Sequence, residues 1–246
     1  MVIGRVRCRL VLSCGLALVV AGPSDVFGWA PETELMIAQQ AARFAPQDLQ
    51  RQIDKHPQAL RDGVLEAIRN PAAGRSLEAV LADEVERVVD AIRNHRPFAE
   101  IVQLTGQVVH YVALANDPLA VSSSDPHEAR YSRDYSRYIE SARERFNATF
   151  YGDGRQIDEP RDLSALVRLT FARGRGFYPL IAQEYRRIDY GSGQRQFDDR
   201  STAYALSALA YSHAISDTIG VLRYIWLRSG GADSRTFLKL TPPVSP

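Results

Sequence analysis

The stretch SLEAVLADEVERVVDAIRN, residues 76–94, decides the fold class. Leu77, Val80, Leu81, Val85, Val88, Val89 and Ile92 recur every three or four residues. They make one apolar stripe, the period of a helix laid against a core. The same period extends on both sides. ETELMIAQQAARFA (32–45) places Leu35, Ile37, Ala38, Ala41 and Ala42 at helical spacing. Pro46 opens PQDLQRQIDKH, with Leu49 and Ile53 on one face, and a short helix through Ala59–Ile68 ends before Asn70-Pro71. Downstream, Pro97 starts a helix to Asn116, and DPLAVSSSDP (117–126) reads as a loop. Residues 127–150 read as a helix charged on one side, and YGDGRQIDEPR as a linker. Asp162 caps a helix to Arg187 that Gly174, Gly176 and Pro179 are placed to break in two. The final stretch, 197–230, is long and Ala-rich, so it is predicted to pack centrally. No period-two pattern and no internal repeat stands out. The expectation is an all-α, single-domain bundle of about seven or eight helices.

Composition agrees with a folded domain. The 246 residues are 45% hydrophobic and 24% charged, which excludes a disordered or collagen-like chain. A net charge of +1 leaves no general footprint for nucleic acid.

The N-terminus has the pattern of an export signal. Arg5, Arg7 and Arg9 precede LVLSCGLALVVA (10–21), an apolar run of twelve residues. That is short for a bilayer span and right for a signal-peptide core. Val26 and Gly28 then supply small residues for cleavage before Trp29. Lipidation at Cys14 fits less well, because the apolar run continues past it. The expected product is a periplasmic or secreted protein with no transmembrane helix. Its helical domain spans 29–230 and a loose tail spans 231–246. Removing Arg5, Arg7, Arg9 and Asp25 leaves 27 basic and 28 acidic residues. Both cysteines, Cys8 and Cys14, leave with the signal, so no disulfide or cysteine metal ligand remains.

Few residues are suited to chemistry. His110 lies near the end of an apolar helix, where imidazole serves either as a metal ligand or as a hydrogen-bonded core group. His213 and Asp217 sit four apart on the last helix and share a face, as two ligands or as a structural pair. His127 stands at a helix start after Asp125-Pro126, while His56 and His95 mark helix ends. Tyr131, Tyr135 and Tyr138 recur at helical spacing as packing residues. No nucleophile elbow, phosphate loop or HExxH motif is present.

Two segments, WAPETELMIAQQAARFAPQDLQRQIDKHPQALRDG from Trp29 and GQVVHYVALANDPL from Gly106, resemble the bacterial zinc-dependent phospholipase C and single-strand nuclease superfamily. The resemblance implies an exported all-α fold. It also implies that Trp29, through its amine and carbonyl, and His110 were ligands in a three-zinc centre that activates water against a phosphodiester. His127 corresponds to a later ligand histidine. The departures are extensive. Glu34 stands where the family has its first histidine. Leu114 replaces the bridging aspartate one turn after His110, Ala120 replaces the next histidine, and Tyr131 replaces the acidic partner of His127.

Two functional expectations follow, beside a third, a helical envelope protein unrelated to the family, against which the position of Trp29 at the cleavage point argues. One is a non-catalytic binding or scaffold protein of the envelope, with no firm cofactor and either an envelope partner or a phosphate-ester ligand. The other is a metal-dependent phosphoesterase with a rebuilt site. It would hold zinc at reduced stoichiometry on a set drawn from Trp29, Glu34, His110, Asp117, His127, His213 and Asp217. Convergence of His110, His213 and Asp217 would favour the second.

Overall fold

The computed structural model describes residues 29–71, 74–120, 125–151 and 160–231. The expected signal peptide and the tail from 232 onward lie outside them. The described residues form helices α1 (Pro31–Ala42), α2 (Gln47–Lys55), α3 (Pro57–Arg69), α4 (Leu77–Arg93) and α5 (Phe98–Asn116). They continue with α6 (Glu128–Ala142), a 3-10 turn (Arg143–Arg145), α7 (Pro160–Arg187), α8 (Gly193–Gln196) and α9 (Thr202–Arg228). No strand occurs among them, so the chain is all-α.

The stripe on α4 does what its period requires. Val80, Leu81, Val85, Val88 and Val89 are all buried. Ser76 accepts a hydrogen bond from the Ala79 N–H at 3.2 Å, satisfying one of the free donors at the helix start. Ser201 caps α9 in the same way through the Tyr204 N–H at 3.1 Å.

The centre belongs to α5 as much as to α9. Thirteen of the 19 residues of α5 are buried, so it has almost no solvent face. Val102, Val109 and Ala113 enter a core built with α1, α6, α9 and the C-terminal part of α7. Ile101, Val108 and Val112 enter a second core with α4 and the N-terminal part of α7. Each set steps by seven and then four residues, and the two are offset by one residue, about 100° of turn, so one helix serves two cores from adjacent flanks.

Close approach between α3 and α5 makes this possible. A Cβ placed on Gly63 would lie 1.9 Å from the Gln103 carbonyl oxygen, and one on Gly106 would lie 2.3 Å from that of Leu60. The two backbones touch where neither residue has a side chain.

Asp162 sits in the first turn of α7, which begins at Pro160, rather than capping it. Two larger expectations need correction. The helix from 127 does not reach Phe150. It ends at Ala142, and Phe146 adopts extended dihedrals (φ −71°, ψ 115°). The segment that follows lies against α9. The N–H groups of Thr149 and Tyr151 donate to the Ser212 and Ser216 hydroxyls, each at 3.1 Å. Those hydroxyls supply the acceptors that a continued helix would have provided. The second correction concerns α7, which runs unbroken through Gly174, Gly176 and Pro179 for 28 residues. Pro179 and Gly176 face solvent. Water can therefore satisfy the Arg175 carbonyl that proline's missing N–H leaves without a helical partner. The tyrosine expectation agrees with the structure: Tyr131, Tyr135 and Tyr138 are each at most 1% exposed.

The α3–α5 contact yields a direct test. Gly106→Ala or Gly63→Ala must push a backbone aside, because the clashing atoms are carbonyl oxygens rather than side-chain ends. The expected loss is about 3 kcal/mol, at the upper end for overpacking. It is read from urea unfolding, with the exposed Gly176→Ala variant near neutral or slightly stabilising as control.

Candidate functional site

Four of the seven named residues converge at the C-terminal end of α5. The last four carbonyls of any helix lack a helical donor. At α5 the Ala113 carbonyl accepts the Trp29 indole N–H at 2.8 Å, and the Leu114 carbonyl accepts the Asp117 N–H at 3.1 Å. Trp29 is itself buried and meets Tyr211 edge-on, with ring centroids 6.5 Å apart. Its side chain therefore works as a helix cap and core residue.

Glu34 arrives from the first turn of α1, where its own N–H bonds to the Ala30 carbonyl. Its side chain is 1% exposed, and its Oε2 lies 2.9 Å from Nδ1 of the buried His110. Burial raises the Glu34 carboxyl above its ordinary range, while the charge and hydrogen bond of His110 pull against that rise. Asp117 follows α5 directly and is also buried. Burial pushes its carboxyl up to about 7, and the nearby negative charges of Glu34 and Glu128 add to the rise. The N–H groups of Leu119 and Ala120 oppose it, the first bonding Oδ1 at 2.8 Å. The negative end of the α5 dipole points at the same place. Two acids, one imidazole and a helix C-terminus thus share a dry region.

A second polar group adjoins it through Asn116. Asp217 does not pair with His213. Its Oδ2 takes Nη2 of Arg173 at 2.6 Å, the Thr170 hydroxyl at 3.1 Å and Nδ2 of Asn116 at 3.1 Å. Asn116 Oδ1 accepts from the same Arg173 nitrogen at 2.8 Å. His213 instead stacks on Tyr151, with centroids 4.4 Å apart and planes 20° from parallel. The shared helix face placed both residues on one side of α9, but different neighbours engage each. His127 precedes α6 at the surface, donates its N–H to Asp125 Oδ1 at 2.8 Å and packs its ring on Tyr190.

Sequence reading missed Asn116, Thr170 and Arg173. The available signal was Thr170 and Arg173 three apart on one face of α7, a polar pair on a helix that otherwise buries apolar residues there. Leu114 is half-buried and packs against the α4–α5 core, and Ala120 is half-buried. Among the described residues, no three His, Cys, Asp or Glu side chains group so as to hold a metal ion. The chain matches no protein-family model and no curated protein.

Two outcomes check these assignments. The folded Asp117 carboxyl titrates near 7 against an ordinary 3.8, so the fold favours its neutral form. That contribution is full below about pH 3.8 and is lost as pH rises through about 7, at most about 4 kcal/mol in all. Asp117→Asn keeps the oxygen acceptor and should therefore lose less stability than the parent between pH 4 and 7.5 in urea titrations. Arg173→Met strands a carboxylate that is only 11% exposed. It should cost about 3 kcal/mol, with most of that recovered in Arg173→Met/Asp217→Leu.

Proposed function

We propose that this chain is an exported helical protein built on the zinc phospholipase C and nuclease plan. On this reading its metal centre has been dismantled, and its role in the envelope is non-catalytic binding or scaffolding. The Glu34–His110 contact carries the reading. A carboxylate occupies the position of a ligand histidine and bonds the imidazole that would otherwise face a metal. Asp117 directs one oxygen to backbone N–H groups, and Trp29 spends its indole N–H on a helix end. These groups answer one another's polar needs, the condition of a stable buried network. Leu114 and Ala120 add no donors.

The rebuilt-site reading has one observation on its side, the convergence of Glu34, His110 and Asp117 at the end of α5. The other condition set for it, that His213 and Asp217 join His110, has no support in their contacts with Tyr151 and Arg173.

Hydrolysis assays, with elemental analysis after dialysis against metal-free buffer beside them, separate the two. The expected result is fewer than three zincs per chain, with no hydrolysis of phosphatidylcholine or single-stranded nucleic acid. Three retained zincs, or turnover that His110→Ala abolishes, would establish the rebuilt phosphoesterase instead.

A further inference from the structure

The solvent side of α7 carries an apolar pattern. Leu169, Ala172, Gly176, Pro179 and Leu180 are all exposed. Their steps of three and four residues set them in one stripe. Leu169 and Leu180 are each 42% exposed, an unusual position for leucine on a helix whose other flank fills two cores. Arg168, Arg175 and Arg186 follow at intervals of seven and eleven residues. Those intervals are close to two and three whole turns, so the three stand in a row along one edge of the stripe. Arg187 closes its C-terminal end.

The acids near these arginines sit deeper than the arginines do. Arg168 meets Glu78 at 3.3 Å, Arg186 meets Asp125 at 3.7 Å and Arg187 meets Glu184 at 3.0 Å. Side-chain exposure is 53% and 57% for Arg186 and Arg187 against 7% and 14% for their partners. Among the described residues Arg175 has no ion-pair partner. The outermost layer of this face is therefore cationic beside an apolar strip. Just past the C-terminal end of α7, Arg130 of α6 lies 4.1 Å over the ring of Tyr190.

We infer that the outer face of α7 is a docking surface for an anionic lipid bilayer, lying in the headgroup plane with its leucines turned into the acyl boundary. An apolar stripe flanked by arginines is the arrangement that binds such an interface, and aromatic rings such as Tyr190 favour the same depth. The long arginine side chains reach phosphates while their stems cover the stripe. No described helix is long and apolar enough to cross a membrane, so the contact is peripheral. A second copy of the chain fits the face poorly. Antiparallel two-fold pairing brings like flanks together and sets one arginine row against the other. From Arg168 to Arg187 the stripe is about 29 Å long. At about 10 Å wide it offers far less than the ~800 Å² per partner of a stable dimer. The inference rests on surface chemistry alone and does not depend on the state of the α5 site.

The test is co-sedimentation of the full chain with vesicles of phosphatidylcholine alone or with 30% phosphatidylglycerol. Variants are measured beside it, so the apolar run at 10–21 contributes equally to all. Binding to anionic vesicles should exceed binding to neutral ones at least tenfold in 0.1 M salt. Arg175→Gln/Arg187→Gln should weaken it about twenty-fivefold, from about fivefold for each charge lost. Leu169→Ser/Leu180→Ser should weaken it on both vesicle types. All four positions are exposed, and unchanged thermal midpoints confirm the fold. Equal binding to neutral and anionic vesicles, or variants that bind like the parent, would overturn the inference. So would a sedimenting dimer that Leu169→Ser/Leu180→Ser dissolves in the absence of any vesicle preference.

Discussion

The rest of the structure depends on two backbones meeting without side chains between them. At Gly63 and Gly106 the axes of α3 and α5 approach closer than any pair carrying Cβ atoms could. With α3 so close, α5 also has room to pack against α4, α1, α7 and α9. A helix surrounded in this way cannot be amphipathic, and α5 is apolar around nearly its whole circumference. The close pack also has an electrostatic consequence. It leaves the C-terminal end of α5 away from water, where free carbonyls and neighbouring acids must find partners within the protein.

Those partners come from three directions. Trp29 supplies an indole N–H, Arg173 a cation, and His110 an imidazole one and a half turns back on the same helix. The cation is well placed, since positive charge near a helix C-terminus offsets its dipole. The acids are not. Glu34 and Asp117 carry carboxyl groups into a region where burial favours protonation of both, and at Asp117 the charge of Glu34 adds to it. This is the setting in which buried acids titrate far from their usual range, a property shared by catalytic sites and by strained structural ones.

Much of the fold was legible because one-dimensional periodicity reports which face of a helix is apolar. The α4 stripe, the tyrosines of α6 and the helical class of the longer elements could be read that way, whereas the short helix α8 could not. Where the pattern failed, the deciding partner came from elsewhere in the chain. Nothing within residues 127–150 announces the Ser212 and Ser216 hydroxyls that draw the segment after Phe146 out of helix. Pro179 looked like a breaker because its tolerance depends on which side faces water. His213 and Asp217 share a helix face, yet spacing cannot reveal that Arg173 on α7 takes the aspartate and Tyr151 the histidine. At the site, sequence identified the α5 terminus through His110 and Asp117 but missed the Asn116–Thr170–Arg173 network, which α5 and α7 build together.

The serine rungs on α9 hold a further geometric lesson. Four residues of helix climb about 6.0 Å, while two residues of extended chain advance about 6.6 Å. Hydroxyls spaced four apart on a helix can thus act as a vernier for alternate amides of a strand-like segment. The two scales drift by about 0.6 Å per step, so such a ladder tolerates few rungs. Here it has two, and the positions four residues before and after, Ala208 and Gly220, carry no hydroxyl. Alternate side chains of the segment are thereby aimed by a ruler cut into a different helix. Shifting the serines by one residue would rotate the ruler by about 100°.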